Sequence, residues 1–270
     1  MESLHDTKGD RMNAPAIRIT RPVREQVSNE EWEARVNLAA CYRLMHEFGM
    51  VEMVANHISA RVPGTRNEFL INPYGMLYEE MTASSMIRID LEGNVLFNAT
   101  EYGVNQAGYV IHSAIHGARH DVDCVIHTHT LPGMAVSAMK CGLMPIAQTS
   151  MRWAKGVSYH DFEGIAIRTE ERERLVQDLG TNDAMILRNH GLLTCGPSVP
   201  ECFNNMFRLE RACQLQVMTL SCNTEIQLPP QEIVDQSWQL FQPGVRRRLG
   251  LLEWPSLLRK LDRIDPSYRD

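Results

Sequence analysis

The chain has 270 residues, of which 44% are hydrophobic, so it is long enough to bury a real core as one large or two small domains. Its 27 basic and 33 acidic residues give a net charge of −6 without a basic stripe, which argues against nucleic acid as a partner. No apolar run reaches about 18 residues, the N-terminus lacks a hydrophobic signal, and the seven cysteines are scattered. These features predict a cytoplasmic protein with reduced cysteines and no membrane partner.

The sequence predicts three segments. Residues 1–27 are polar and charged, and we expect a flexible N-terminal arm. Residues 28–222 are predicted to form the main domain, and residues 223–270 to form a C-terminal helical extension that begins around Pro229 and Pro230.

The main domain is predicted to begin with a helix and two hairpins. Ser28 with Glu31 three residues later is typical of a capping box, and Gly49 is a plausible end of that helix. Strand-like runs then form two pairs, residues 57–62 with 68–72 and residues 86–90 with 95–97.

A second helix is predicted after Asn105. It carries His112, His116 and His120 at intervals of four, which places them on one helical face. We expect His116 and His120 to be surface or interface residues, and His112 to be the functional candidate.

The centre of the chain is an apolar run that ends in His127-Thr128-His129. Side chains alternate along a strand, so both imidazoles point the same way, about 6–7 Å apart. A second apolar run, residues 184–190, ends in His190 and is followed by a glycine. Three neutral imidazoles hold a divalent metal with open coordination positions. The alternative is that such histidines only hydrogen-bond to the backbone.

The intervening and following segments are predicted as alternating elements. Thr130 caps a helix through residue 139, residues 145–148 form a strand, and residues 159–161 form a turn. A strand over 165–168, a charged helix over 169–179 and a long helix over 199–222 complete the domain. Interleaved strands and helices predict an α/β sheet that is covered on both faces.

Several motifs, in this order, resemble the class II aldolase/adducin family. They are Asn105-Gln106-Ala107-Gly108 through His112, Val125-Ile126-His127-Thr128-His129-Thr130, Ala135 to Gly142, Tyr159-His160-Asp161 and Arg188-Asn189-His190-Gly191-Leu192. The resemblance implies a class II aldolase-like three-layer α/β/α fold with a mixed central β-sheet. It also implies a homotetramer with its active site at the subunit interface, and a divalent metal (Zn, Mn or Fe) on His127, His129 and His190.

This sequence departs from the sugar-phosphate aldolases of the family at one important position. Those enzymes have a glutamate, which is both metal ligand and acid/base, four residues before the position of His112, and this chain has Gly108 there. In this respect the chain is similar to the adducin branch and its bacterial relatives. The small donors of the phosphate site are also replaced. His57, Tyr74 and Gln106 are predicted to line a pocket for another ligand, and the alternative is that they only pack against their neighbours.

We therefore predict a divalent-metal-dependent enzyme that acts on a non-phosphorylated 2-oxo or 2-hydroxy acid, as a carbon–carbon lyase of aldolase or decarboxylase type. His112, Tyr159 or a water is expected to replace the missing acid/base. Arg152 is expected to bind a substrate carboxylate, and the alternative for this residue is a surface salt bridge. The alternatives are a non-haem iron oxygenase on the same scaffold and a non-catalytic, adducin-like assembly module.

Overall fold

The computed structural model describes residues 21–164, 171–242, 244, 245 and 247–270. Most of the predicted arm over 1–27 and the predicted strand over 165–168 lie outside the described residues. Within the part of the chain that the structure describes, no helix is both long and apolar enough to cross a membrane.

A mixed eight-stranded sheet organises the described residues. Its strands are β1 (His57–Arg61), β2 (Glu68–Ile71), β3 (Ile87–Asp90), β4 (Val95–Phe97), β5 (Cys124–Thr128), β6 (Ser158–His160), β7 (Ala184–Leu187) and β8 (Gly191–Gly196). Their spatial order is β4-β3-β2-β1-β5-β8-β7-β6. Neighbouring strands are antiparallel except for β6 and β7, which are parallel.

Helices cover both faces of this sheet. They are α1 (Asn29–Glu47), α2 (Gln106–Ala118), α3 (Leu131–Ser137), α4 (Gln148–Met151), α5 (Glu171–Leu179), α6 (Val199–Ser221), α7 (Gln231–Gln239) and α8 (Trp254–Ile264). Helices α1 and α6 share one hydrophobic core with the sheet, and α2 and α5 share a second core on the opposite face. The predicted three-layer α/β/α fold with a mixed sheet is confirmed.

The alternation of side chains along β1 and β5 decides what faces α2. Ile58 and Ile126 belong to the core under α1 and α6. Because the strand period is two, His57, Ser59 and His127 point to the other face, toward α2. On β1 and β5, the side chains of one face thus pack in the hydrophobic core, and polar side chains form a layer on the other face.

Two local predictions were wrong. Residues 145–148 do not form a strand, because the chain turns there and α4 begins at Gln148, with the backbone N–H of Ala147 donating to the Ser150 hydroxyl over 3.0 Å. Residues 159–161 were predicted as a turn, but Tyr159 lies in β6, which pairs with β7. A segment of three residues carries too little periodicity to separate an edge strand from a turn.

The C-terminal helices pack onto the main domain. Trp254 is buried in the core with α1, and its indole N–H donates to the side-chain oxygen of Asn37 over 2.7 Å. Lys260 and Glu47 add an ion pair of 2.7 Å between α8 and α1. The predicted helical extension therefore continues the layer formed by α1.

Candidate metal centre

Three histidine side chains converge at the C-terminal end of β5. The Nε2 atom of His127 lies 2.8 Å from Nε2 of His129 and 3.2 Å from Nε2 of His190, and the last two are 3.0 Å apart. Tetrahedral zinc with bonds of about 2.0–2.1 Å to nitrogen separates its ligand atoms by roughly 3.4 Å. The three nitrogens therefore lie slightly closer together than ligands of one ion, with their donor atoms facing each other.

Two local features bring these side chains together. His127 is in β5 and His129 follows its end, so both project from the same face of the sheet. His190 lies in a three-residue hairpin between β7 and β8, in which Asn189 adopts a left-handed φ of 55°. A side chain at Gly191 would collide with the carbonyl oxygen of Thr128, so the glycine permits the close approach of β8 to β5.

Hydrogen bonds at the outer ring nitrogens fix the tautomers of His127 and His129. Nδ1 of His127 lies 2.9 Å from the carbonyl oxygen of Leu192, which only accepts, so this nitrogen carries the proton. Nδ1 of His129 lies 2.7 Å from a carboxylate oxygen of Glu52 and donates to it. In neutral rings both Nε2 atoms then carry lone pairs, which repel each other at 2.8 Å unless a cation lies between them. The donor set thus fits a divalent metal.

Two of the three rings, those of His127 and His190, are held in the form that binds a metal. Burial lowers the pKa of His127 well below its usual range, and the neighbouring imidazoles act in the same direction. Burial also lowers the pKa of His190 to about 4, with a further contribution from His129. Neutral imidazoles are the ligating form, so no proton must be displaced from these rings near pH 7.

Glu52 is a component of the site that the sequence did not reveal. It lies in the loop after α1, and its backbone N–H donates to the side-chain oxygen of Asn56 over 2.7 Å. A carboxylate on the outer nitrogen of a metal-binding histidine fixes the ring and raises its basicity. Glu52 and His129 are 77 residues apart, so no local pattern could have paired them.

Behind the cluster lies a buried row of polar side chains. The ring of His57 lies 5.0 Å from that of His127, and its Nδ1 is 2.8 Å from Nε2 of His112. The hydroxyl of Ser59 contacts Nδ1 of His112 at 2.5 Å and Nε2 of His116 at 2.7 Å. We refer to His57, His112, Ser59 and His116 as the polar row.

The polar row changes two predictions about α2. His116 is fully buried, because β1 places the hydroxyl of Ser59 under this face of the helix. The prediction of a surface or interface residue was therefore wrong for His116. His120 is exposed. His112 was predicted as the acid/base, but both of its ring nitrogens are engaged, by His57 and Ser59. His112 is thus linked to the cluster by way of His57, whose ring lies 4.7 Å from that of His112 and 5.0 Å from that of His127.

Comparison with known proteins assigns this architecture to a family. The sequence profile of the Class II Aldolase and Adducin N-terminal domain matches residues 36–217. The chain belongs to the class II aldolase/adducin family. A crystal structure of an aldolase II superfamily protein from Pseudomonas syringae is 47% identical, with a TM-score of 0.86 over 92% of this chain and 99% of that one.

Two further class II aldolase/adducin relatives represent different branches. The structure of L-fuculose 1-phosphate aldolase from Glaciozyma antarctica PI12 is 26% identical, with a TM-score of 0.79 over 89% of this chain and 93% of that one. Alpha-adducin of Rattus norvegicus is 46% identical over 248 residues, which are 87% of this chain and 33% of alpha-adducin. The chain thus spans about a third of the adducin.

Two residues predicted from the class II aldolase resemblance lie in other contacts. The hydroxyl of Tyr159 accepts the backbone N–H of Leu143 over 3.0 Å, and its ring stacks under Arg188. Arg152 donates to the side-chain oxygens of Asn204 and Asn205 and lines a cavity of about 510 Å³ whose lining residues do not include the three histidines. These placements do not support the predicted catalytic and carboxylate-binding roles.

The other two predicted pocket residues are less constrained. Tyr74 is 48% exposed and pairs through its backbone N–H with the carbonyl oxygen of Gly103 over 2.8 Å. Gln106 is half-buried at the first position of α2. Their predicted contacts with a substrate stay predictions.

Proposed function

We propose that this class II aldolase/adducin family member is a divalent-metal-dependent enzyme, and that it cleaves or decarboxylates a non-phosphorylated 2-oxo or 2-hydroxy acid. The observation that carries the proposal is the convergence of three Nε2 atoms within 3.2 Å, two of them with tautomers fixed from outside. His127, His129 and His190 would hold the ion. When bound, a divalent metal would polarise the carbonyl next to the bond that breaks.

The residues around the cluster have separate tasks in this proposal. Glu52 orients the ring of His129 from outside. His57 has its Nδ1 hydrogen-bonded to His112, so Nε2 is its free ring nitrogen and would contact the substrate. Its burial lowers the pKa of His57 well below the usual range, so this contact comes from a neutral imidazole.

The first test is metal analysis of protein purified without chelator or added metal, with His127→Ala as control. About one Zn, Mn or Co per chain in the wild type, lost in the variant, supports the lyase. Release of CO2 or of an aldehyde from a panel of 2-oxo and 2-hydroxy acids would then identify the substrate, with L-fuculose 1-phosphate as the phosphorylated comparison. Iron together with oxygen uptake would favour the non-haem iron oxygenase instead.

The second candidate function is an adducin-like assembly module without catalysis. The 46% identity to alpha-adducin favours it. Absence of metal from the wild type, even after reconstitution with each of these ions, would leave this candidate and refute both enzymes.

The proposal includes a homotetramer with the metal centre at a subunit interface. The family resemblance supports this assembly, and the open coordination side of the cluster would be completed by a neighbouring chain. Light scattering measures the mass in solution, and a monomer that turns over substrate would contradict the interface site.

A further inference from the structure

Gly108 lies in the first turns of α2, directly over the ring of His57. A Cβ atom at this position would lie 2.8 Å from Cδ2 and 2.9 Å from Cγ of His57, closer than real Cβ atoms come to such neighbours. Gly117 in the same helix differs, because its Cβ would meet Leu91 at an ordinary 3.7 Å. The ring of His57 therefore leaves no space for a side chain at residue 108.

The ring of His57 is confined on several sides. It is 2% exposed, and its centroid lies 4.7 Å from the ring of His112 and 5.0 Å from that of His127. Its backbone is paired with His127 across β1 and β5, and its Nδ1 is hydrogen-bonded to His112. The ring cannot withdraw from a new side chain at residue 108 without breaking these contacts.

We infer that His57 and Gly108 form one steric unit, in which the imidazole of His57 occupies the space of a side chain at residue 108 and faces the metal centre. Among the described residues, Glu52 is the carboxylate that contacts the cluster, and it does so at the outer nitrogen of His129. No anionic side chain at residue 108 then offsets the charge of a bound divalent ion.

This unit determines the class of ligand, and the inference deepens the proposed function on which it rests. A centre with three neutral ligands keeps the full charge of its ion, so it favours a chelating anion with two adjacent oxygens. A dicarboxylate such as oxalate, or the carboxylate and carbonyl of a 2-oxo acid, fits this description. A neutral vicinal diol gains less, because it brings no charge.

The steric part is tested in metal-free protein by chemical denaturation. We compare Gly108→Ala with the matched control Gly117→Ala, each alone and combined with His57→Ala. We expect Gly108→Ala to lower the denaturation midpoint and Gly117→Ala to leave it equal or higher, since alanine favours a helix. We also expect the penalty at residue 108 to disappear when His57 is alanine. Equal midpoints for the two single variants, or additive effects, would overturn the steric unit.

The charge part is tested by calorimetric titration of oxalate into zinc-loaded protein. The two double variants Gly108→Glu/His57→Ala and Gly108→Gln/His57→Ala have the same bulk and differ only in charge. With equal zinc content, we expect the glutamate variant to bind oxalate at least about tenfold more weakly than the glutamine variant. Equal affinities would overturn the selection of anions.

The two parts also separate this inference from the proposed function. A wild-type chain that holds no metal, even after reconstitution with zinc, manganese, cobalt and iron, refutes the proposed function and, with it, the selection of anions. The steric unit is decided independently, because its denaturation experiment uses no metal. A chain that holds zinc but does not distinguish the two double variants retains the proposed function and loses this inference.

Discussion

Removal of the Glu52 carboxylate should weaken metal binding without removing a ligand. Glu52 contacts Nδ1 of His129 at 2.7 Å, so Glu52→Ala leaves the ring without its external partner. The ring then samples other rotations and the other tautomer, in which Nε2 carries the proton and cannot bind a metal. The three ligands themselves remain in place.

The magnitude follows from the position of the carboxylate. Loss of such an external partner typically costs about 10- to 100-fold in metal affinity. The Glu52 side chain is 43% exposed, so water and salt screen its interaction and the lower end applies. We expect the dissociation constant for zinc to rise about tenfold in Glu52→Ala, or ~1.4 kcal/mol. Glu52→Gln keeps an acceptor oxygen, and we expect a rise of only about threefold.

The chain offers a matched control for this experiment. Glu79 pairs with Nδ1 of His46 at 3.0 Å, and its side chain is also 43% exposed. This pair has the same chemistry and an equally exposed carboxylate, but it lies outside the cluster. Competition with a chromogenic chelator gives the zinc affinity of the wild type, Glu52→Ala, Glu52→Gln and Glu79→Ala. An unchanged affinity in Glu52→Ala, or an equal loss in Glu79→Ala, would refute the assigned role of Glu52.

Three further outcomes are expected. Burial lowers the pKa of His116 to about 3, so between this value and about 6.5 the unfolded chain binds a proton that the folded chain does not. The free energy of unfolding should therefore decrease as the pH is lowered, by up to about 1.4 kcal/mol per pH unit from this residue. Urea titrations at pH 6.5 and 5.5 should show a smaller decrease in His116→Gln than in the wild type. Gly191→Ala should destabilise the fold by roughly 3 kcal/mol, because its Cβ meets the Thr128 carbonyl oxygen; a urea midpoint equal to that of the wild type would contradict the close strand approach. Tyr159→Phe should cost about 1 kcal/mol, through loss of the hydrogen bond from Leu143, and should leave zinc content unchanged; loss of zinc would restore a role for Tyr159 in the centre.

Local sequence patterns predicted elements well where the stabilising contact joins residues that are close in the sequence. Ser28 accepts the backbone N–H of Glu31 over 3.1 Å, as the capping motif indicates. The reciprocal half does not follow, because the carboxylate of Glu31 bonds to Arg35 and Arg88, each over 2.9 Å. Two guanidiniums thus engage the two oxygens of that carboxylate, and no helix-capping rule includes a partner on β3.

The histidine cluster was predictable because its members end predicted strands. His127 and His129 follow from the period of two, and His190 from a second apolar run before a glycine. The surroundings were not predictable in the same way. Ser59 and His116 meet only because β1 lies under α2, and they are 57 residues apart. The spacing of the histidines shows that they lie on one face of the helix. It does not show whether that face is exposed to solvent or packs against a hydroxyl of the sheet.

The pairing of His57 with His127 across β1 and β5 has a consequence for errors in strand register. A slip of one residue in β1 would turn His57 and Ser59 into the apolar core under α1 and α6, and would turn Ile58 out of it. Misregistered chains would therefore lose the contact between His57 and the metal centre and place an apolar side chain in the polar layer under α2. The contact of His57 with the metal centre thus marks a correctly paired sheet, because a slipped β1 would bury an imidazole and a hydroxyl among apolar side chains without their hydrogen-bond partners.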